Sequence, residues 1–166
     1  MVTGLEPRVI EMMVVGLPGS GKSSFVRTIG HRFKTSKGWI SGHLSLDHNT
    51  EIRLVEPPQP SSFEYVWLRK VIDQAEVDGF LVMCDSTRPE QFMEVVYLLH
   101  TICAYHPNTP CILIANKQDQ PKAWTTQQLR VRLGIGGEIQ ILPCVANDPE
   151  TAEMVVTELL KQIVQQ

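Results

Sequence analysis

Gly16-Leu17-Pro18-Gly19-Ser20-Gly21-Lys22-Ser23 matches G-x-x-x-x-G-K-[ST], and Asn116-Lys117-Gln118-Asp119 matches N-K-x-D. The first pattern supplies what a chain of phosphates needs. Its three glycines let the backbone turn N–H groups inward as a concave anion nest. The helix that follows adds partial positive charge at its N-terminus. Lys22 then reaches the β- and γ-phosphates, the Ser23 hydroxyl ligates Mg2+, and Pro18, Ser20 and Ser24 complete the loop. The second pattern supplies what guanine needs. An Asp119 carboxylate accepts from the N1–H and 2-amino groups, a donor pair that adenine lacks, so adenine would leave a buried carboxylate unpaired. Lys117 lies over the base, and Asn116 ties this loop to the phosphate loop. Either match alone is explained by a Gly-rich turn or a polar loop; together, in this order, they point to GTP or GDP with Mg2+.

Both segments need strands to present them. Val9 to Val15 is a near-continuous apolar run ending at Gly16, the pattern of a strand buried on both faces, and a helix begins at about Gly21. Trp39 to Val55 flanks Asp47-His48-Asn49-Thr50 as a hairpin of two strands. Phe63 to Ala75 repeats at helical period, with Phe63 and Trp67 on one core-facing side, and Gly79 to Cys84 is a buried strand. Thr87-Arg88-Pro89-Glu90 reads as a capping box opening a helix over 88–105. Pro110 to Ala115 is the strand that delivers Asn116 to the carboxyl edge of a sheet, where ligands of open α/β folds bind. Thr125 and Gln128 form a second capping box before Leu129 to Leu133. Ile139 to Val145 is the last strand, and Asn147-Asp148-Pro149-Glu150 caps a helix reaching about 164. The backbone N–H of Val145 or Ala146 meets guanine O6; two registers fit, and the donor stays open. The sum is an α/β chain of three layers, with a mostly parallel sheet of roughly six strands and about five helices.

The 166 residues are expected to form a single domain over 1–166. Hydrophobic residues make up 43% and charged residues 20%, which excludes a disordered chain. A net charge of −3 without a basic stripe argues against nucleic acid as a partner. No apolar run reaches the ~20 residues that span a bilayer. Val2 stands where myristoylation needs glycine, and the C-terminal residues include no prenylation cysteine, so no lipid anchor is expected. Cys84, Cys103, Cys111 and Cys144 have no metal-ligand spacing and fit a reduced, cytoplasmic protein. The five histidines have no carboxylate spacing that suggests a metal or acid–base site. Asp85, at the end of a strand, either caps the next helix or approaches Mg2+.

On these residues the chain resembles the Ras-like small GTPases, with the P-loop NTPase fold. Ala115-Asn116-Lys117-Gln118-Asp119, followed by Pro121 and Leu129 to Gly134, looks most like the ADP-ribosylation-factor branch. Asp85-Ser86-Thr87-Arg88-Pro89-Glu90 and Pro143-Cys144-Val145-Ala146 look like the bacterial gliding-motility and conservon-type GTPases. The resemblance implies a Mg2+-dependent, slowly hydrolytic molecular switch worked by regulatory or effector proteins, roadblock-type partners among them.

The middle of the chain departs from that family. Where D-x-x-G and a catalytic Gln are expected, the chain has Glu56-Pro57-Pro58-Gln59-Pro60. Glu56 replaces the Asp, Gln59 the Gly, and Pro60 the catalytic Gln; proline cannot orient a water. Gln59 is the remaining catalytic candidate, and reaches the position only with a backbone shift. Thr35, with Ser36 beside it, is the candidate Mg2+-sensing hydroxyl, against a plain reading as polar loop. Two functions follow. One is a GTPase switch with slow hydrolysis; the other is a pseudo-GTPase interaction module that binds nucleotide without cycling. A P-loop kinase of a small metabolite is disfavoured by the Asn116–Asp119 tetrapeptide.

Overall fold

Residues 9–15 read as an apolar run because both faces of the strand they form are buried. β1 (Arg8–Gly16) alternates its side chains between two cores. Met12 and Val14 pack with Phe25, Val26 and Val155, whereas Met13 and Val15 pack with Phe80, Leu98 and Leu99. Each fully buried side chain of this kind contributes about 1.5–3 kcal/mol. The computed structural model describes residues 4, 6–59 and 65–166. After β1 come α1 (Lys22–Ile29), β2 (Arg32–Ser36), β3 (Trp39–Ser45), β4 (Thr50–Glu56), α2 (Tyr65–Asp73) and β5 (Gly79–Asp85). A 3-10 turn at Pro89–Gln91 leads into α3 (Phe92–Tyr105), followed by β6 (Cys111–Asn116), α4 (Thr126–Leu133), β7 (Gln140–Pro143) and α5 (Pro149–Val164).

The strand order is β2-β3-β4-β1-β5-β6-β7. β4, β1, β5, β6 and β7 are parallel, and β2 and β3 extend the sheet antiparallel beyond β4. Helices α1 and α5 cover one face, and α2, α3 and α4 cover the other. This is the three-layer P-loop NTPase architecture, and the expected five helices are present. The sheet has seven strands rather than six. The extra one is β2, where Thr35 and Ser36 read as polar loop. All five of its residues are exposed, because an edge strand pairs on one side and here buries neither face, so no apolar alternation marks it. Lys37 (φ 50) and Gly38 (φ 83) make the tight turn to β3, the positive-φ pair that hairpins of this length require. From β4, Glu51 accepts a hydrogen bond from Arg32 Nη2 at 2.9 Å and also meets His43 Nδ1, pinning the two outer strands. One histidine therefore does have a carboxylate neighbour. Among the described residues no group of three His, Cys, Asp or Glu is placed to hold a metal.

The capping signals divide. Thr125 accepts from Gln128 N while Gln128 Oε1 accepts from Thr125 N, so the α4 box forms as expected, and Asp148 caps α5. The Thr87–Glu90 box does not form. Asp85 Oδ1 accepts from Thr87 N at 2.9 Å and from Thr87 Oγ1 at 2.6 Å, so the N–H that Glu90 would have bonded is taken and the hydroxyl is turned toward Asp85. The α-helix consequently starts at Phe92 rather than near 88. β7 is shorter than residues 139–145, and Trp67 packs half-buried against the second core. Phe63 and Pro60 lie outside the described residues. No helix among the described residues is long and apolar enough to cross a membrane.

Candidate functional site

The phosphate loop leaves the carboxyl end of β1, flanked by β4 and β5, and enters α1. Gly16 is pressed against the next strand: a Cβ there would stand 2.6 Å from the Met83 carbonyl oxygen. Gly19 (φ 78) and Gly21 (φ 104) take left-handed conformations that other residues adopt at a cost. Pro18, Gly19 and Ser24 are exposed, whereas Ser20 is buried. Lys22 is also buried. Its Nζ curls back to donate to the Gly16 and Leu17 carbonyls, both at 3.0 Å. Burial lowers its pKa from 10.5 to about 8, with the Glu56 charge acting weakly the other way. Between those values the unfolded chain holds a proton that the folded chain has released, so Lys22 makes stability rise with pH from about 8 to 10.5.

Opposite the loop, the last residue of β4 is Glu56, 5% exposed. Its Oε1 accepts from Ser23 Oγ at 2.9 Å, and its Oε2 is buried without a hydrogen-bond partner. Burial raises the Glu56 pKa, against the Ser23 hydrogen bond and the Lys22 charge. Gly19, Gly21, Lys22, Ser23, Ser24, Glu56, Gln59 and Lys117 line one cavity of about 350 Å3. A hydroxyl oxygen and an orphaned carboxylate oxygen on one wall form a donor set suited to a hard divalent cation, so Ser23 and Glu56 fit Mg2+. Gln59 is exposed at this cavity. Thr35 does not line it; the hydroxyl-bearing residue sits in edge strand β2 opposite Ile40.

The second loop leaves β6, two strands from β1. Asn116 is buried, and its carboxamide joins three segments. Nδ2 donates to Ser20 O at 2.8 Å, and Oδ1 accepts from Ala146 N at 2.9 Å. Gly21 admits this contact, because a Cβ there would lie 2.3 Å from Asn116 Nδ2. Gly21→Ala is therefore expected to cost about 2–3 kcal/mol, from a strained backbone and a broken buried bridge, read as a lower denaturant midpoint.

Lys117 has a positive φ of 65, uncommon for a residue with a side chain. Its Nζ donates to Asp85 Oδ2 at 2.7 Å. Burial opposes the Asp85 charge, but the bonds from Lys117 and Thr87 outweigh it and hold the carboxyl below its ordinary range. Asp85 thus caps a turn and anchors Lys117. Gln118 Nε2 donates to Ser86 Oγ at 3.0 Å and to Trp124 O at 2.8 Å, which braces the loop from behind. Asp119 is exposed at the tip. Val145 N donates to Thr151 Oγ1 at 3.1 Å, so both Val145 and Ala146 amides are held by protein acceptors. Sequence reasoning missed the roles of Thr151, Ser86 and Trp124. It also missed the Ser23–Glu56 bond, which lies across 33 positions of chain.

A glycine-rich loop and an Asn-Lys-x-Asp loop cross-tied at one sheet edge define the Ras-like small-GTPase fold. No protein-family model matches the chain. By sequence it is 29% identical over 134 residues to ADP-ribosylation factor-like protein 10 of Mus musculus. That alignment covers 75% of this chain and 52% of the mouse protein, so the chain spans about half the length of that relative. Among solved structures it is similar to the Arl6 BBS3 small GTPase from Trypanosoma brucei with a bound nucleotide analogue, GppNp. The TM-score there is 0.76 at 14% identity, over 96% of this chain and 99% of that one. It is also similar to the G domain of the T. maritima FeoB iron transporter, with a TM-score of 0.70 at 20% identity over 93% and 99%. The chain therefore shares the fold of these small-GTPase structures, and in sequence it is similar to an ADP-ribosylation factor-like protein.

Proposed function

We propose that residues 1–166 act as a single guanine-nucleotide-binding domain, a molecular switch that holds GTP or GDP and is read by regulatory or effector proteins. One observation carries the reading: the Asn116 carboxamide bonds both the phosphate loop at Ser20 and the β7–α5 loop at Ala146. The part that grips phosphate and the part that reads the base are thereby held as one unit. The amides of 19–23 face the phosphates, and Lys22 exchanges two loop carbonyls for phosphate oxygens. Asp119, exposed at the loop tip, would accept from the guanine edge. Ser23 and Glu56 would hold Mg2+, which when bound offsets the charge of the phosphates. The guanine O6 donor is one of the Val145 and Ala146 amides, released from its present acceptor. Affinities for GTP, GDP and ATP test the reading; equal GTP and ATP binding would overturn it.

Transfer of Lys22 to phosphate has a pH signature. An anion beside the amine holds its proton on, so binding above pH 8 takes up a proton that the free protein has released. Calorimetry at about pH 9 in two buffers of different ionisation heat is expected to show uptake of about half to one proton.

Hydrolysis is proposed to be slow. Even intact relatives depend on partners for accelerations of up to ~10^5-fold, and here Gln59 is exposed while Glu56 stands in place of the shorter Asp. The exposure of Gln59 and the replacement of the shorter Asp by Glu56 favour a second reading, a module that binds nucleotide without cycling. Single-turnover decay of bound GTP, with and without cell extract, separates the two. The partners are proposed to include roadblock-type regulators and to exclude nucleic acid. The cysteines, free throughout the described residues, suit a reduced cytoplasmic setting.

A further inference from the structure

A cavity of about 690 Å3 opens where α3 and α5 end and β6 begins, at the amino edge of the sheet. The phosphate and guanine loops leave the other edge. Its walls are rich in acceptors and poor in donors. Glu138 lines it with a carboxylate that no ion pair reaches among the described residues. Gln162 Nε2 donates to Gln140 Oε1 at 3.0 Å, and Gln166 Nε2 donates to Asn108 O at 2.7 Å. Each of these amides spends its nitrogen on the protein and keeps its oxygen. Pro107 stands four residues after Cys103 and has no N–H, so the Cys103 carbonyl in the last turn of α3 lacks its helical donor. Both helices also turn the negative ends of their dipoles toward this edge. Among the described residues no lysine or arginine lines the cavity to neutralise it.

An alkylammonium group has the converse chemistry, with three N–H donors, no acceptor and one positive charge. Ile102, Pro107, Pro110 and Ile139 line the same cavity and suit its methylenes. A bare metal ion fits less well, because no three His, Cys, Asp or Glu surround one among the described residues. We propose that this cavity binds an alkylammonium chain, with Glu138 taking the charge and carboxamide and carbonyl oxygens accepting the N–H groups. The group has two sources, a free polyamine or a lysine side chain of a partner protein. The site stands apart from the nucleotide reading and does not depend on it.

The test is titration of 15N-labelled protein, followed by amide shifts at pH 7 and about 150 mM salt, with spermidine and separately with a capped lysine peptide. Saturable shifts at residues 102–111, 138–140 and 162–166 are expected for at least one probe. Tighter saturation by spermidine assigns the site to a free polyamine, and tighter saturation by the peptide assigns it to a partner's lysine. Glu138→Gln is expected to weaken binding about tenfold while shifts elsewhere in the protein stay in place. Gln162→Lys, which sets an ammonium into the cavity, is expected to abolish it. Shifts from neither probe, or shifts scattered over the surface without saturation, overturn the site. Equal binding of uncharged hexane-1,6-diol overturns it too, as does undiminished affinity in Glu138→Gln. Should Glu138→Gln not fold, Gln162→Lys decides, and unchanged binding there is the overturning result.

Discussion

Replacing Lys22 with alanine is expected to cost about a thousandfold or more in guanine-nucleotide affinity while changing the melting temperature of the nucleotide-free protein little. The two effects separate because Lys22 serves opposing roles in the two states. Free, its ammonium is buried and discharged easily, with a pKa of about 8, so its charge is a liability that two carbonyl hydrogen bonds only partly offset. Bound, it makes charge-assisted contacts to phosphate, each worth about 1.5–3 kcal/mol, and two of them give the thousandfold. Thermal melts and equilibrium titration of the same preparation check both halves. Unchanged affinity in a folded variant would mean that the loop does not grip phosphate.

The second large effect concerns the base. Asp119→Ala is expected to lower GTP affinity by roughly a hundredfold to ten-thousandfold and to leave ATP affinity within about threefold, so that the preference between them nearly vanishes. The asymmetry follows from what each nucleotide shares. Both present the same phosphates to residues 19–23, whereas only guanine offers two donors to the carboxylate. Competition of ATP against labelled GDP reads the outcome directly. A uniform loss for both nucleotides would show that Asp119 shapes the loop instead of selecting the base.

Much of this was legible in the residue order, for identifiable reasons. The positions of the glycine-rich and Asn-Lys-x-Asp loops were readable because their patterns are local: each sets particular residue types at fixed offsets after a buried strand. The helix caps at Thr125 and Asp148 formed where their sequences placed them. The Thr87 box failed because a carboxylate two residues upstream, Asp85, takes the Thr87 N–H that Glu90 would have bonded and holds the hydroxyl. That competitor was visible in the sequence, but its strength relative to a helix terminus was not. β2 escaped notice because an exposed edge strand carries no burial pattern; only the Lys37-Gly38 pair marks its turn. The pairings of Glu56 with Ser23 and of Lys117 with Asp85 join residues 33 and 32 positions apart. Nothing in a linear pattern specifies such partners once the family's usual residue has been replaced.

The Asn116 carboxamide also bears on how the chain matures. Its one donation reaches 96 residues back and its one acceptance 30 residues forward. A ribosome-bound intermediate ending before Ala146 would hold the glycine-rich turn by the Ser20 half of this brace alone, and long-range closures of this kind come late in folding. A chain that has not yet emerged as far as Ala146 is therefore expected to be cut more readily by protease near the glycine-rich turn than one that has.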